Sequence, residues 1–176
     1  GGVVTSRTLS VAGEEMTRNI TQYVRDVYSL LIGEKVAEEV KWRLGSTMDT
    51  GTPYEMEVRG RHLVTGLPKQ IILKEAEVRE ALQRNVSVIL SSIKATLEVT
   101  PAELVADIYE HGVVLVGGSS LLRGIEKTIA RETAIPVRVI DDPMTVNVRG
   151  AAALLGDDAL LKGIALPSTQ DAFFSS

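Results

Sequence analysis

The sequence predicts an α/β fold with a small inserted α+β subdomain, on three observations. The first is Gly112-Val-Val-Leu-Val-Gly-Gly-Ser-Ser-Leu-Leu-Arg-Gly124, a short apolar run ending on paired glycines with an apolar-periodic segment behind it. The second is the order of elements after it, strand, helix, strand, helix, which implies parallel pairing with crossovers. The third is Ser46 to Lys74, where Gly51, Pro53, Gly60, Gly66 and Pro68 punctuate short β-rich pieces between two long helical stretches. With 176 residues and 44% hydrophobic residues the chain is long and apolar enough for one ordinary domain with its own core.

Taken in order, Val3 to Val11 is rich in Val and Thr and reads as a strand, ended by Gly13. From Glu14 to Leu31, Met16, Ile20, Val24, Val27 and Leu31 recur at three- and four-residue steps, one stripe of an amphipathic helix. After Gly33 a second helix runs from Glu34 to Leu44 with Val36, Val40 and Leu44 on one face, and Gly45 stops it. In the inserted stretch, Tyr54–Val58, His62–Thr65 and Gln70–Leu73 read as a meander of strands.

A long helix follows over Glu75 to Leu97, carried by Val78, Leu82, Val86, Ile89, Ile93 and Leu97. Thr100-Pro101-Ala102-Glu103 reads as a helix start, with Thr100 as cap, Pro101 at the first helical position and Glu103 reaching back. That helix ends near Glu110. Val113 to Val116 reads as a buried strand, Ser120 to Glu132 as a helix and Val137 to Ile140 as a strand. Asp142-Pro143 repeats the cap-plus-proline device for a helix to Leu155. Residues 157–176 read as a loose tail, with one helical turn at Ala159 to Lys162 and Phe173-Phe174 in a disordered end. The expected organisation is a core lobe of residues 1–45 and 98–156 around an inserted subdomain of residues 46–97.

Composition narrows the chemistry. A net charge of −4 argues against nucleic acid as a partner, because phosphate binding wants a basic face. The absence of cysteine removes disulfides and thiolate metal sites, and His62 and His111 are too far apart for a zinc motif. No apolar run approaches the ~20 residues of a membrane span. A cytoplasmic protein is the expectation.

No G-x-x-x-x-G-K-[ST], G-x-G-x-x-G or G-x-S-x-G motif occurs, which excludes P-loop enzymes and disfavours dinucleotide enzymes and serine hydrolases. Glu38-Glu39 and Asp141-Asp142 are adjacent carboxylates, better read as solvated or capping groups than as acid–base pairs. No catalytic and no metal-ligating residue is expected in this chain.

Two places could bind a ligand. At Gly117-Gly118 the backbone can approach a flat ligand closely, since no Cβ intervenes; the alternative is a plain strand-to-helix turn. At Leu31-Ile32-Gly33-Glu34-Lys35-Val36-Ala37 a glycine break precedes a helix start. There Glu34 can accept bonds from ribose hydroxyls and the Lys35 stem can lie along a base, or Glu34 is simply a favourable first-turn acid.

The order of these pieces resembles the second half of the MreB family of bacterial actin-like proteins, from Val3 to Leu155. The resemblance is carried by Val-Val-Thr-Ser-Arg…Gly-Glu-Glu-Met, Leu-Leu-Ile-Gly-Glu-Lys-Val-Ala-Glu-Glu, Glu57-Val-Arg-Gly-Arg, Gly112-Val-Val-Leu-Val-Gly-Gly, Leu121-Leu-Arg-Gly, Ile135-Pro-Val and Asp142-Pro-Met-Thr. It implies an actin-like (ribonuclease H-like) ATPase fold of two α/β lobes with ATP and Mg²⁺ between them, of which this chain is the second lobe. The same fold serves heat-shock chaperones and sugar kinases, so another actin-fold ATPase or a stand-alone filament regulator stays an alternative.

The resemblance further implies nucleotide contacts from Glu34, Lys35, Val36 and Ala37 beside ribose and adenine. On the other side of the adenosine it implies Gly117, Gly118, Ser119, Ser120, Leu121 and Leu122. Ser119 stands where the family has a third glycine. The family's phosphate loops, catalytic acid, Mg²⁺ ligands and membrane-inserting element lie in the first half or just before Gly1. This chain alone is therefore expected to bind nucleotide weakly or not at all and not to hydrolyse it, while the full-length parent is a slow ATPase. The implied partners are further copies in a head-to-tail filament, the cell-wall elongation machinery and, through the other half, the inner membrane surface. The implied role is directing wall growth and rod shape.

Overall fold

The computed structural model describes residues 3–49 and 51–156. Helix α1 spans Gly13–Tyr28, followed by a two-residue strand β1, Leu30–Leu31, and helix α2, Glu34–Leu44. Strands β2, Glu55–His62, and β3, Pro68–Lys74, form an antiparallel hairpin, and β1 adds to the β2 edge to complete a three-stranded sheet. Helix α3, Glu75–Glu98, and helix α4, Ala102–His111, lead to β4, Val113–Leu115. A 3-10 turn at Gly118–Leu121, helix α5 at Ile125–Thr133, strand β5 at Val137–Val139 and helix α6 at Val146–Leu155 complete the described chain. β5 pairs with β4 in parallel, Val113 opposite Val137.

The expected stripes form the core. Met16, Ile20 and Val24 of α1 meet Val40 and Leu44 of α2, with Val58 and Leu73 of the hairpin and Val78 and Leu82 of α3 closing the layer. Side chains of α5, Ile125 and Ile129, join the same cluster. The two units expected from the sequence thus share one apolar interior. Asn19 donates to buried Asn85 at 2.7 Å, satisfying an amide pair between α1 and α3 inside it. Among the described residues no helix is long and apolar enough to cross a membrane.

Several elements differ from the sequence expectation. Val3–Val11 is not a strand: Val3 and Val4 are exposed and the segment has no ladder partner among the described residues. Val and Thr favour a pleated, half-buried surface, and composition alone does not supply one. α1 stops at Tyr28, because Ser29 turns left-handed (φ 51°), so Leu31 lies on β1 instead of the helical stripe.

His62–Thr65 is not a separate strand. The His62 carbonyl accepts Gly66 N–H at 2.8 Å and its Nδ1 lies 3.0 Å from Thr65 Oγ1, closing a turn that overrides the β propensity of Leu63 and Val64. The buried strand expected over Val113 to Val116 is shorter and half-exposed: β4 ends at Leu115, and Val114 at 40% and Val116 just beyond it at 43% are exposed, since β5 alone flanks β4 among the described residues.

Thr100 does not cap α4: its hydroxyl donates back to Thr96 O at 2.8 Å, extending α3's last turn. The helix expected from Ser120 begins only at Ile125, after the 3-10 turn and a left-handed Gly124. Asp142, itself left-handed, accepts the Thr145 hydroxyl and shapes a turn ahead of α6, so the proline device does not open the helix directly. The expected turn at Ala159 to Lys162 and Phe173-Phe174 lie outside the described residues.

Candidate functional site

Helix α2 carries two faces. Ala37, Val40 and Leu44 are fully buried in the core. Glu38, Lys41 and Trp42, at i, i+3 and i+4, form a second stripe that faces the segment after β4. Between them lies a cleft of about 340 Å³, within the size range of small-molecule sites, whose opposite wall is Gly118, Ser119, Leu121 and Leu122. Gly13 and Met16 from α1 and Met144 also line it.

The glycine wall is held by its own turn chemistry. Gly117 adopts φ +81°, a left-handed conformation that favours glycine, and its N–H donates to Pro143 O at 2.7 Å. Buried Ser120 folds back so that its hydroxyl donates to Gly117 O at 2.6 Å. Gly118 faces open space, with no atom within 4 Å of where a Cβ would stand. A ligand can therefore reach the backbone there.

The α2 wall is set by a polar network. Lys41 is nearly enclosed, its side chain 13% exposed, and its ammonium donates to Glu38 at 2.6 Å, Thr17 Oγ1 at 2.8 Å and Gly13 O at 2.9 Å. The Thr17 hydroxyl donates to the same Glu38 carboxylate oxygen. The Lys41 bond first, and then the Thr17 bond, hold the Glu38 carboxyl below the ordinary carboxylate range. Glu38 is thus an ionised acceptor on the cleft, fixed from behind by a cation with all three protons engaged. Exposed Trp42, Leu121 and Met144 supply apolar surface beside it. The arrangement suits a flat apolar ring carrying hydroxyls that can donate to a carboxylate.

Of the residues singled out in the sequence, Gly118, Ser119, Leu121 and Leu122 line the cleft, while Gly117 and Ser120 shape the turn beneath them. Glu34, Lys35, Val36 and Ala37 form the first turn of α2, where Val36 and Ala37 N–H groups donate to Gly33 O. Ala37 is buried in the core and Lys35 is exposed. Glu34 borders a separate groove with Glu14, Arg18 and Arg25. The α2 side chains of the cleft therefore lie one turn further on. Glu38, Lys41, Trp42, Gly13, Met16 and Met144 were not singled out as binding residues, although the four-residue step from Glu34 to Glu38 on one helical face was available as a signal.

The chain matches the family model described as MreB/Mbl protein over residues 1–162. It is 40% identical over 155 residues to the cell shape-determining protein Mbl of Bacillus cereus, covering 88% of this chain and 46% of that protein. It is 42% identical over 154 residues to the cell shape-determining protein MreB of Escherichia coli, covering 88% and 44%. The chain thus spans about half the length of the curated relatives it matches.

Among solved structures, MreB5 of Spiroplasma citri bound to ADP superposes with a TM-score of 0.85 at 33% identity, over 88% of this chain and 47% of that one. The same protein bound to AMPPNP gives 0.86 at 32%, over 93% and 48%. The MamK double helical filament, at 22% identity and TM-score 0.74 over 86% and 46%, shares the actin-like fold.

Proposed function

The chain belongs to the MreB/Mbl family of cell shape-determining, actin-like proteins, and on that premise we propose that it is the second lobe of an ATP-binding filament protein. The observation that carries this reading is the cleft in which an ionised Glu38 and the Trp42 ring face the open backbone of Gly118. The adenine lies against Trp42, Leu121 and Met144, and the ribose hydroxyls donate to Glu38. Contact along α2 is then made one turn beyond Glu34–Ala37, whose role is to start the helix. Lys41 holds Glu38 ionised and aimed. That MreB5 was crystallised with ADP and with AMPPNP supports a nucleotide as the ligand class.

The phosphates and Mg²⁺ are held by residues outside this sequence, in which no phosphate-binding motif occurs. In the full-length protein, ATP closes two lobes on each other, copies add head to tail, and slow hydrolysis marks filament age. A contact of this kind does not close on itself. The filament runs in the cytoplasm along the inner membrane and guides the wall-elongation machinery. The division into a core lobe of residues 1–45 and 98–156, an insert of 46–97 and a tail of 157–176 belongs to the same proposal. Sedimentation of the full-length protein with and without ATP tests it: the pelleted fraction rises with concentration and with ATP. Pelleting insensitive to both contradicts it.

A further inference from the structure

One side chain outside the cleft joins both of its walls. Arg123 follows Leu122 directly, and its backbone is sewn to the end of α2: its N–H donates to Gly45 O at 3.3 Å and its carbonyl accepts Thr47 N–H at 2.9 Å. Its guanidinium Nη2 donates to Arg43 O at 2.7 Å, in the last turn of the helix that carries Glu38, Lys41 and Trp42. A cation suits that end of a helix, where carbonyls lack intrahelical partners.

The flat face of the same guanidinium lies over the Tyr54 ring, 4.1 Å from its centroid, while its buried Nε has no hydrogen-bond partner among the described residues. Tyr54 precedes β2, and its carbonyl accepts the N–H of Glu75, the first residue of α3. Arg123 therefore touches three things at once: the glycine wall through Leu122, the α2 wall through Arg43, and the root of the hairpin and α3 through Tyr54.

We propose that Arg123 is a positioning residue that sets the spacing of the two cleft walls and couples nucleotide occupancy to the hairpin–α3 unit through Tyr54. This rests on the reading of the cleft as a nucleotide site. A ligand that draws Gly118–Leu122 toward Glu38 pulls on Arg123, and the stacked Tyr54 passes that displacement to β2 and α3. Lysine can keep the bond to Arg43 O but offers no planar face for the ring.

Calorimetric titration of the full-length gene product with ATP tests this, with melting temperatures recorded alongside. Arg123→Ala and Tyr54→Leu should each weaken ATP binding by up to about tenfold, the scale of one charge-assisted bond. Tyr54→Phe should bind like wild type because the ring face survives, and Arg123→Lys should fall between. The double variant R123A/Y54L should bind no more weakly than R123A alone, since both remove one tie.

Wild-type affinity in Arg123→Ala overturns the proposal, as do fully additive losses. Equal losses in Tyr54→Leu and Tyr54→Phe overturn it too. A wild-type protein that binds no ATP defeats the underlying reading of the cleft, a result distinct from all of these.

Discussion

Lys41 Nζ stands 2.6 Å from the Glu38 carboxylate, one turn back on α2, and the pair is locked to α1 through Thr17 and Gly13. Because these bonds favour the ionised form, the Glu38 carboxyl is held below its ordinary value of 4.5. A depressed carboxylate pKa stabilises the fold fully above the ordinary value and loses that contribution as pH falls through the depressed one. The melting-temperature difference between wild type and Glu38→Gln should be positive and flat from about pH 7 to about pH 5, then shrink in more acid solution. It should correspond to less than about 1 kcal/mol, since the carboxylate is partly open to solvent. A difference that widens with acid would contradict the network.

Lys41→Met should cost more, about 1–3 kcal/mol, because it strips a donor from the partly buried Gly13 carbonyl and removes Glu38's cation. Chemical denaturation measures it. A neutral outcome would mean that Lys41 does not bind α2 to α1.

Gly118→Val should separate binding from folding. Nothing lies within 4 Å of the added Cβ, so stability should change by no more than about 0.5 kcal/mol. The isopropyl group instead fills the cleft, and ATP binding by the full-length protein should be lost. Retained affinity would move the base elsewhere.

Gly45→Ala makes the opposite test. The new Cβ would fall 2.2 Å from Lys41 O and 2.7 Å from Leu122 Cδ2, both in structures that frame the cleft. It should destabilise by about 1–3 kcal/mol, the cost of overpacking, and disturb ligand binding as well. Thermal melts and calorimetry on the same variant show whether the two effects travel together.

Leu82→Ala, at a fully buried position of α3 in the shared core, should cost about 2–5 kcal/mol by denaturant unfolding. A much smaller loss would mean that the hairpin side of the core is loosely packed.

What the sequence made legible was what is local. α2 runs from Glu34 to Leu44 as read, because Gly33 and Gly45 bracket an apolar stripe of regular period. α3 is announced by its apolar stripe alone, with no glycine at either end. Val3–Val11 failed as a strand because its pairing depends on partners distant in sequence. His62–Thr65 failed because a turn built on His62 outweighed the β preference of Leu63 and Val64.

The site divides along the same line. Gly117-Gly118 could be singled out from a glycine pair behind an apolar run, and Ser119–Leu122 followed from the family resemblance. For Glu38 the four-residue step from Glu34 was the one signal on offer, and it did not reach Lys41, since what makes the pair a site is bonding to Thr17 and Gly13, 21 to 28 residues away. In isolation their charges read as a solvated helix face. Arg123 was invisible for a like reason: its meaning comes from Arg43 and Tyr54, brought to it by the fold.

In the proposed site adenosine lies between α2 and the glycine segment. Photolabelling of the full-length protein with 8-azido-ATP, followed by peptide mapping, tests it most directly. Label is expected on the peptides containing Trp42 and Gly118–Leu122, competed away by ATP and absent in Gly118→Val. Competable label confined to other peptides would contradict it.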